Sequence, residues 1–283
     1  MKENKWKYLK SGCNTVDTIL GGGFRYGTVT AVTSEPNIGK TKLSLQLALA
    51  NVASTGKKSM IIDTEGEDRD DIMEILKRFG KRYNLSEDEI KKKITIVNCQ
   101  GDIQEPSLIK LMKLFGYKLK LELSEKGGKY SVSFQNVKPE IDQYKPSDYS
   151  FIVIDSLSSP LKETIGTETQ NLPARASIVQ RLFGKLYQYA KTHNICFVVN
   201  HHTSRNPITP FGRDFGKVFG GDPVLYNSKY ILQIIDSTSK IKKTKFQGFE
   251  DEARRVRLLR HPYIKSDKLY DIRLKEDYGF VDI

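Results

Sequence analysis

The 283-residue sequence is poor in cysteine and has no long apolar segment. Its cysteines, Cys13, Cys99 and Cys196, are widely separated, which argues against a disulfide framework and against a cysteine-based metal site. No stretch approaches the roughly 20 apolar residues that a membrane-spanning helix needs. We therefore expect a cytoplasmic protein without disulfides and without a membrane partner.

Positive charge is abundant: 46 lysines and arginines face 34 acidic residues, for a net charge of +12. Basic surfaces attract polyanions because binding releases counterions, so nucleic acid is the first candidate partner and an anionic membrane the second. Lysine-rich proteins that contact no nucleic acid are also common. Charge alone therefore leaves the partner open.

Short β-branched apolar segments alternate with helical ones, which predicts a parallel sheet covered by helices. The predicted strands of this part are Thr28–Thr33, Lys58–Asp63, Ile94–Asn98, Phe151–Asp155 and Ile195–Asn200. Helices are predicted at about Lys40–Ser54, Asp70–Tyr83 and Ala174–Thr192. Further strands at Tyr230–Asp236, Arg254–Leu259 and Leu269–Lys275 have no long helices between them. The fold class is α/β, with a mainly parallel central sheet extended by antiparallel strands, in a single domain over residues 1–283.

Residues 100–150 interrupt the alternation of strands and helices. A short helix is predicted from Pro106 to Phe115, and apolar residues then alternate with charged ones over Tyr117–Leu123, which is the period of a strand. Gly127-Gly128 supplies a turn before a second strand. We interpret the segment as an inserted helix and β-hairpin whose lysines face solvent or DNA. The basic run Lys240–Lys245 is predicted to be a solvated hairpin tip between two late strands.

The segment SEPNIGKT lies between a predicted strand and a predicted helix, which is the context of a phosphate-binding loop. Its backbone N–H groups and the helix terminus would surround the phosphates. Lys40 would reach the β- and γ-phosphates, and Thr41 would offer its hydroxyl to Mg²⁺. Ser34 occupies the position where the pattern has its first glycine. The predicted ATP-binding residues are Ser34, Glu35, Pro36, Asn37, Ile38, Gly39, Lys40, Thr41 and Lys42.

Acidic and polar residues follow three other predicted strands. Asp155 ends an apolar strand and is the predicted second contact of Mg²⁺. Glu65, just after another strand, is predicted to orient the attacking water, whereas nearby Asp63 is expected to be structural. Asn200 and His201 end a further strand and could sense the γ-phosphate. A metal site at His201 and His202 stays open as an alternative, although no third ligand is apparent.

The N-terminal segment SGCNTVDTILGGG, residues 11–23, resembles the opening of the RecA/RadA recombinase core. The phosphate-binding loop, the IDTEG segment ending at Gly66, the FIVIDS strand and the VVN-ending strand follow in the family's order and spacing. The resemblance covers nearly the whole chain outside residues 100–150, and it includes the shorter RadB-like paralogues of RadA. It implies a RecA-like P-loop ATPase core.

Position by position, the resemblance assigns Lys40 and Thr41 to phosphate and Mg²⁺, Asp155 to Mg²⁺ and Glu65 to catalysis. His201 stands where the family usually has a glutamine that couples nucleotide state to DNA. The family binds single-stranded DNA through two loops, which correspond here to about Lys162–Arg175 and Thr203–Phe219. The DNA-binding residues expected in these loops are Arg175, Arg205, Phe211, Arg213, Phe215 and Lys217. Cations for phosphates and aromatic rings for bases suit such a loop.

Several positions depart from the family. The family's N-terminal DNA-binding domain has no counterpart in the residues before Ser11, and Ile72 occupies the place of an arginine that stacks on adenine. His261-Pro262 resembles a Ser-Pro pair that reaches a neighbour's nucleotide. We expect an accessory paralogue that binds ATP, Mg²⁺ and single-stranded DNA, hydrolyses ATP slowly and assists a RadA-type recombinase or other repair proteins. Whether the chain forms homo-oligomers stays open. The alternative function is that of a KaiC-like regulatory ATPase that acts through protein partners without DNA.

Overall fold

The computed structural model describes residues 7–102, 104–124, 128–204, 217–218, 224, 227–265 and 268–283. Its helices are α1 Asn14–Ile19, α2 Lys40–Thr55, α3 Arg69–Gly80, α4 Glu87–Lys93, α5 Ser107–Leu114, α6 Ser158–Ile165, α7 Leu172–His193 and α8 Ser239–Lys245. The first strands are β1 Tyr8–Leu9, β2 Phe24–Arg25, β3 Thr28–Ser34, β4 Lys58–Asp63, β5 Ile94–Asn98, β6 Tyr117–Leu123 and β7 Tyr130–Asn136. The later strands are β8 Tyr149–Asp155, β9 Cys196–Ser204, β10 Lys217–Val218, β11 Tyr230–Asp236, β12 Ala253–Arg260, β13 Tyr270–Lys275 and β14 Gly279–Val281.

A large mixed sheet organises the chain, with strand order β14-β13-β12-β11-β3-β9-β8-β4-β5. The strands from β11 to β5 pair in parallel, and β12, β13 and β14 extend the sheet with antiparallel pairs. This arrangement confirms the predicted α/β class. The short β10 pairs with the end of β9.

Helices cover both faces of the sheet, which explains why its central strands are apolar throughout. Every residue of β3 and of β8 is buried. Side chains of α5, α6 and α7 pack with one face of the sheet, and side chains of α1, α2, α3 and α4 pack with the other. Within the described residues, no helix has the combined length and apolarity needed to cross a membrane.

Residues 100–150 contain the predicted helix, α5, and the predicted hairpin, which β6 and β7 form. Tyr117 and Leu119 are buried, whereas Lys118 and Lys120 are exposed, so the alternating pattern separates a packed face from a solvated one. Arg181 of α7 lies over the ring of Phe134, 5.3 Å from its centroid. The hairpin therefore packs on α7.

The basic run at 240–245 is not the predicted hairpin tip, because it lies in helix α8. Thr238 caps this helix, since its hydroxyl accepts a hydrogen bond from the N–H of Ile241 at 3.5 Å. Phe246, directly after the helix, is buried. The capping residue Thr238 and the buried Phe246 are local signals of a helix. The high lysine content of the segment instead suggested a solvated turn.

The side chain of Gln46 in α2 joins the two ends of the described chain. Its amide nitrogen donates to the carbonyls of Ser11, at 2.6 Å, and Phe280, at 3.0 Å, and its oxygen accepts from the N–H of Phe280 at 2.6 Å. Asp282 also accepts from the N–H groups of Asn14 and Thr15 at the start of α1. The C-terminal strand and the first helix are thus fixed to the central helix.

Replacing Gln46 with methionine keeps the length of this buried side chain but removes these three hydrogen bonds. We expect the free energy of unfolding to fall by about 2–3 kcal/mol. Urea unfolding followed by circular dichroism measures the change. The exposed Gln104→Met variant is the control, and we expect a change within about 0.5 kcal/mol there. Equal stability of the two variants would contradict this account of Gln46.

Candidate functional site

The carboxyl ends of β3, β4, β8 and β9 lie at one edge of the sheet, because these strands are parallel neighbours. Side chains at or just after these ends surround a cleft of about 360 Å³. Among its lining residues are Lys40, Thr41, Glu65, Asp155 and His202. Ligands of open α/β sheets bind at such an edge. The structure thus brings Lys40, Thr41, Glu65 and Asp155, each predicted from sequence, to one cleft.

The predicted phosphate-binding loop forms a tight turn between β3 and α2. Asn37 and Gly39 have positive φ angles of 59° and 116°. A Cβ atom on Gly39 would lie 2.7 Å from Leu274 and 3.0 Å from Phe280, so this position requires glycine. Strands β13 and β14 therefore determine how closely the loop packs.

The predicted loop residues divide between the lining of the cleft and its support. Pro36, Asn37, Gly39, Lys40, Thr41 and Lys42 line the cleft. Ser34, Glu35 and Ile38 support the loop instead. The ammonium group of Lys40 donates to the hydroxyl of Ser34 at 3.0 Å and to the carbonyl of Glu35 at 3.1 Å. Ser34 thus supplies a hydroxyl contact to Lys40 that glycine could not make.

Lys40 and Asp155 place opposite charges in a buried environment. Lys40 is only 5% exposed, and burial lowers its pKa, while Asp155 and Glu65 act in the opposite direction. Burial raises the pKa of Asp155, and hydrogen bonds with Asn200 and Thr41 act against this shift. The arrangement combines a cation for phosphate with a carboxylate and a hydroxyl, oxygen ligands of the kind that Mg²⁺ prefers.

Glu65 is a cleft carboxylate that several side chains hold by hydrogen bonds. It follows a turn in which Asp63 accepts the N–H groups of Glu65, at 2.9 Å, and Gly66, at 3.1 Å. The hydrogen bond with His202 is the main cause that lowers the pKa of Glu65 to about 2, and hydrogen bonds with Ser156 and Ser159 add to the shift. Glu65 is therefore ionised in the folded protein at neutral pH. An ionised carboxylate accepts hydrogen bonds from water, but one with so low a pKa is a weak base.

Glu67 is a cleft carboxylate that sequence reasoning missed. Its oxygen lies 3.4 Å from the hydroxyl of Thr41. Burial, together with the charges of Asp155, Asp63 and Glu65, raises its pKa to about 7. The sequence feature that could have identified Glu67 is its position two residues beyond Glu65, after the same strand. Its place beside Thr41 adds a further oxygen donor to the predicted magnesium ligands.

The candidate sensor residue His201 does not reach the cleft, and its neighbour His202 does. Side chains alternate along β9, so Asn200 and His202 face the cleft side while His201 faces α7. Asn200 donates to Ser44 of α2 at 2.9 Å. His201 is fully buried and stacks on Phe183, with ring centroids 6.3 Å apart. We therefore replace His201 with His202 as the candidate histidine of the site. Over the described ranges, no group of three or more His, Cys, Asp or Glu side chains is arranged to hold a metal ion.

Arg175 is also not the exposed loop cation that we expected. It lies within α7, is only 3% exposed, and donates to the carbonyls of Gly166, Thr167 and Glu168. The predicted loop over 162–175 is correspondingly reduced to residues 166–171 between α6 and α7. In this structure the guanidinium shapes that short loop and is not presented to a phosphate.

Most of the second predicted DNA-binding loop lies outside the described residues. This holds for Arg205, Phe211, Arg213 and Phe215. Lys217 belongs to β10, where its backbone pairs with Ser204, and its side chain is not described. Their contact with DNA stays a prediction.

Arg254 of β12 is a second cleft residue that the sequence did not reveal. Its Nε donates to the carbonyl of Ile38 in the phosphate-binding loop at 3.1 Å, and the side chain lines the cleft. Burial lowers the pKa of this guanidinium, and Asp236 and Asp251 act against the shift. This contact joins residues more than 200 positions apart, so no local pattern could indicate it.

Comparison with known proteins gives one family and consistent relatives. The family model described as "ATPase: KaiC" matches residues 9–209. The RadB DNA repair and recombination protein of Methanococcoides burtonii is 24% identical over 80% of this chain and 82% of its own. The RadA protein of Aeropyrum pernix is 25% identical over 80% of this chain and 60% of its own. A crystal structure of the RadB recombinase superposes with a TM-score of 0.66 at 21% identity, covering 97% of this chain and 99% of that one. That structural likeness bears on the fold alone.

Replacing Arg254 with methionine removes a cleft cation and the hydrogen bond that supports the phosphate-binding loop. We expect the Kd for a fluorescent ATP analogue to rise about tenfold, since a charged hydrogen bond contributes roughly 1.5–3 kcal/mol. Fluorescence titration measures the affinity. Arg260→Met, at the exposed end of the same strand, should change the Kd less than twofold. An unchanged Kd in Arg254→Met would show that the guanidinium does not support nucleotide binding.

Proposed function

We propose that this chain, which belongs to the KaiC family of RecA-like ATPases, binds ATP with magnesium in this cleft. It hydrolyses the ATP slowly and acts as an accessory protein in recombinational DNA repair. The observation that carries the proposal is the convergence of Lys40, Thr41, Glu65 and Asp155 on one cleft. The family to which the chain belongs implies nucleotide binding. The similarity to RadB and RadA proteins supports the repair role.

The donor set suits a nucleotide-bound magnesium ion. Thr41 and Asp155 offer a hydroxyl and a carboxylate beside the amine of Lys40, and Glu67 adds a further oxygen. Magnesium in phosphoryl-transfer sites is usually held by one or two carboxylates together with substrate phosphates. When bound, it would neutralise charge on the β- and γ-phosphates.

The chain's own side chains supply the remaining parts of the reaction. Lys40 contacts the phosphates from the start of α2, where backbone N–H groups also point towards an anion. Glu65 orients the attacking water.

We propose single-stranded DNA as the second ligand. The net charge of +12 and the cations and aromatic rings of residues 203–219 support it. A RadA-type recombinase is the proposed protein partner. The competing function is that of a KaiC-like regulator that acts through protein partners without DNA. The match to the KaiC family model supports this second candidate. ATP turnover measured with and without single-stranded DNA separates the two.

Lys40→Ala should abolish specific ATP binding and hydrolysis, because it removes the buried ammonium group at the start of α2 that would contact the phosphates. We expect the Kd for ATP to rise at least 100-fold and turnover to fall to background. Titration of a fluorescent ATP analogue and phosphate release measure the two quantities. Lys191→Ala, exposed at the end of α7, serves as the control. Normal binding and turnover in Lys40→Ala would refute ATP binding at this cleft.

Alanine at Arg205, Arg213 and Lys217 together should weaken binding of single-stranded DNA and reduce its salt dependence. Losing three phosphate contacts lowers the slope of log Kd against log salt by about 2. Fluorescence anisotropy with a labelled oligonucleotide at several salt concentrations measures the slope. The triple variant at the exposed Lys10, Lys92 and Lys191 loses the same charge elsewhere. Equal slopes in the two triple variants would exclude the loop as the DNA contact.

A further inference from the structure

The Glu65 carboxylate is anchored through one of its two oxygens. Its Oε1 accepts hydrogen bonds from the hydroxyl of Ser156 at 2.5 Å, the hydroxyl of Ser159 at 2.7 Å and Nε2 of His202 at 3.0 Å. Ser156 directly follows β8, and Ser159 lies in the first turn of α6. Oε2 takes part in none of these bonds. Three donors therefore fix one oxygen, and none of them binds the other.

His202 is itself held in place on both its backbone and its ring. Its N–H donates to the hydroxyl of Ser158 at 2.8 Å, and its ring Nε2 lies 3.4 Å from the hydroxyl of Ser159. The side chain is 12% exposed. In the sheet, His202 pairs with Ser34 at the start of the phosphate-binding loop. The imidazole thus lies beside the first turn of α6, with its Nε2 directed at Glu65.

The contact requires a particular protonation of the imidazole. A carboxylate only accepts hydrogen bonds, so Nε2 must carry the hydrogen. In that form His202 restricts rotation of the Glu65 carboxylate and favours its charged state. A water-orienting carboxylate loses rate when its direction changes, because a displacement near 1 Å can cost about 100-fold.

We propose that His202, together with Ser159, is a positioning residue that fixes Oε1 of Glu65 so that Oε2 points at the attacking water. The inference rests on the proposed ATPase function. His202 touches neither phosphate nor metal in this role, and it acts only through Glu65. Its loss therefore affects the chemical step and leaves nucleotide binding intact.

Steady-state kinetics of four variants test the assignment: His202→Ala, His202→Gln, Glu65→Gln and the double variant Glu65→Gln/His202→Ala. We expect His202→Ala to lower kcat about 30-fold with KM within twofold of the wild type. Glutamine can place an N–H near the position of Nε2, so His202→Gln should recover kcat to within about threefold. The double variant should match Glu65→Gln within twofold, since the two side chains act as a unit. His193→Gln, at the end of α7, is the control and should keep the wild-type kcat.

The results separate this inference from the proposed function. If Glu65→Gln loses turnover while His202→Ala keeps it, the proposed function survives and the positioning role of His202 is wrong. The role is equally wrong if the losses of the two single variants multiply in the double variant, or if KM rises with the fall in kcat. Wild-type turnover in Glu65→Gln would overturn the role of Glu65 and this inference with it.

A second substitution keeps the test valid if His202→Ala does not fold. Ser159→Ala removes one of the other donors to the same oxygen and leaves the ring in place. We expect it to lower kcat about fivefold without changing the Kd for a fluorescent ATP analogue. An unchanged kcat in Ser159→Ala would contradict the proposal.

Discussion

A single buried cation, the ammonium group of Lys40, organises the candidate site. Burial of an isolated charge is costly, so the group must be surrounded by acceptors and opposite charges. The hydroxyl of Ser34 and the carbonyl of Glu35 provide the acceptors, and Asp155 and Glu65 provide the charges. These partners come from three different strand ends. The site therefore depends on the register that brings those ends to one level of the sheet, where Asp63 lies opposite Asp155 and Ser34 opposite His202.

The antiparallel extension of the sheet contributes directly to this site. Leu274 and Phe280 pack against Gly39, and Arg254 binds the carbonyl of Ile38. Gln46 in turn joins α2 to the backbone of Phe280. The strands beyond β11 thus support the phosphate-binding loop from the side opposite the acidic residues. Substitutions in β12–β14 would therefore affect nucleotide binding through the packing of the phosphate-binding loop as well as through the stability of the protein.

Sequence predicted those parts of the structure that local patterns determine. The apolar strand before Asp155, the glycine-lysine-threonine turn and the alternating residues of the hairpin each depend on near neighbours. The choice between His201 and His202 depends instead on which face of β9 meets α7, a tertiary fact that residue type alone does not reveal. Arg175 was predicted to bind DNA because of its position in a family loop, but its guanidinium donates hydrogen bonds to backbone carbonyls of residues 166–168. Glu67 and Arg254 join the site through contacts across the fold, which no single segment of sequence encodes.

The most direct test of this account is a crystal structure of the protein with magnesium and a non-hydrolysable ATP analogue. The account predicts that the amine of Lys40 contacts the β- and γ-phosphate oxygens, and that the metal lies between the hydroxyl of Thr41 and the carboxylate of Asp155. It also predicts that Glu65 faces the γ-phosphate through a water molecule. Nucleotide bound elsewhere on the chain, with Lys40 still bonded to Ser34 and Glu35, would contradict it.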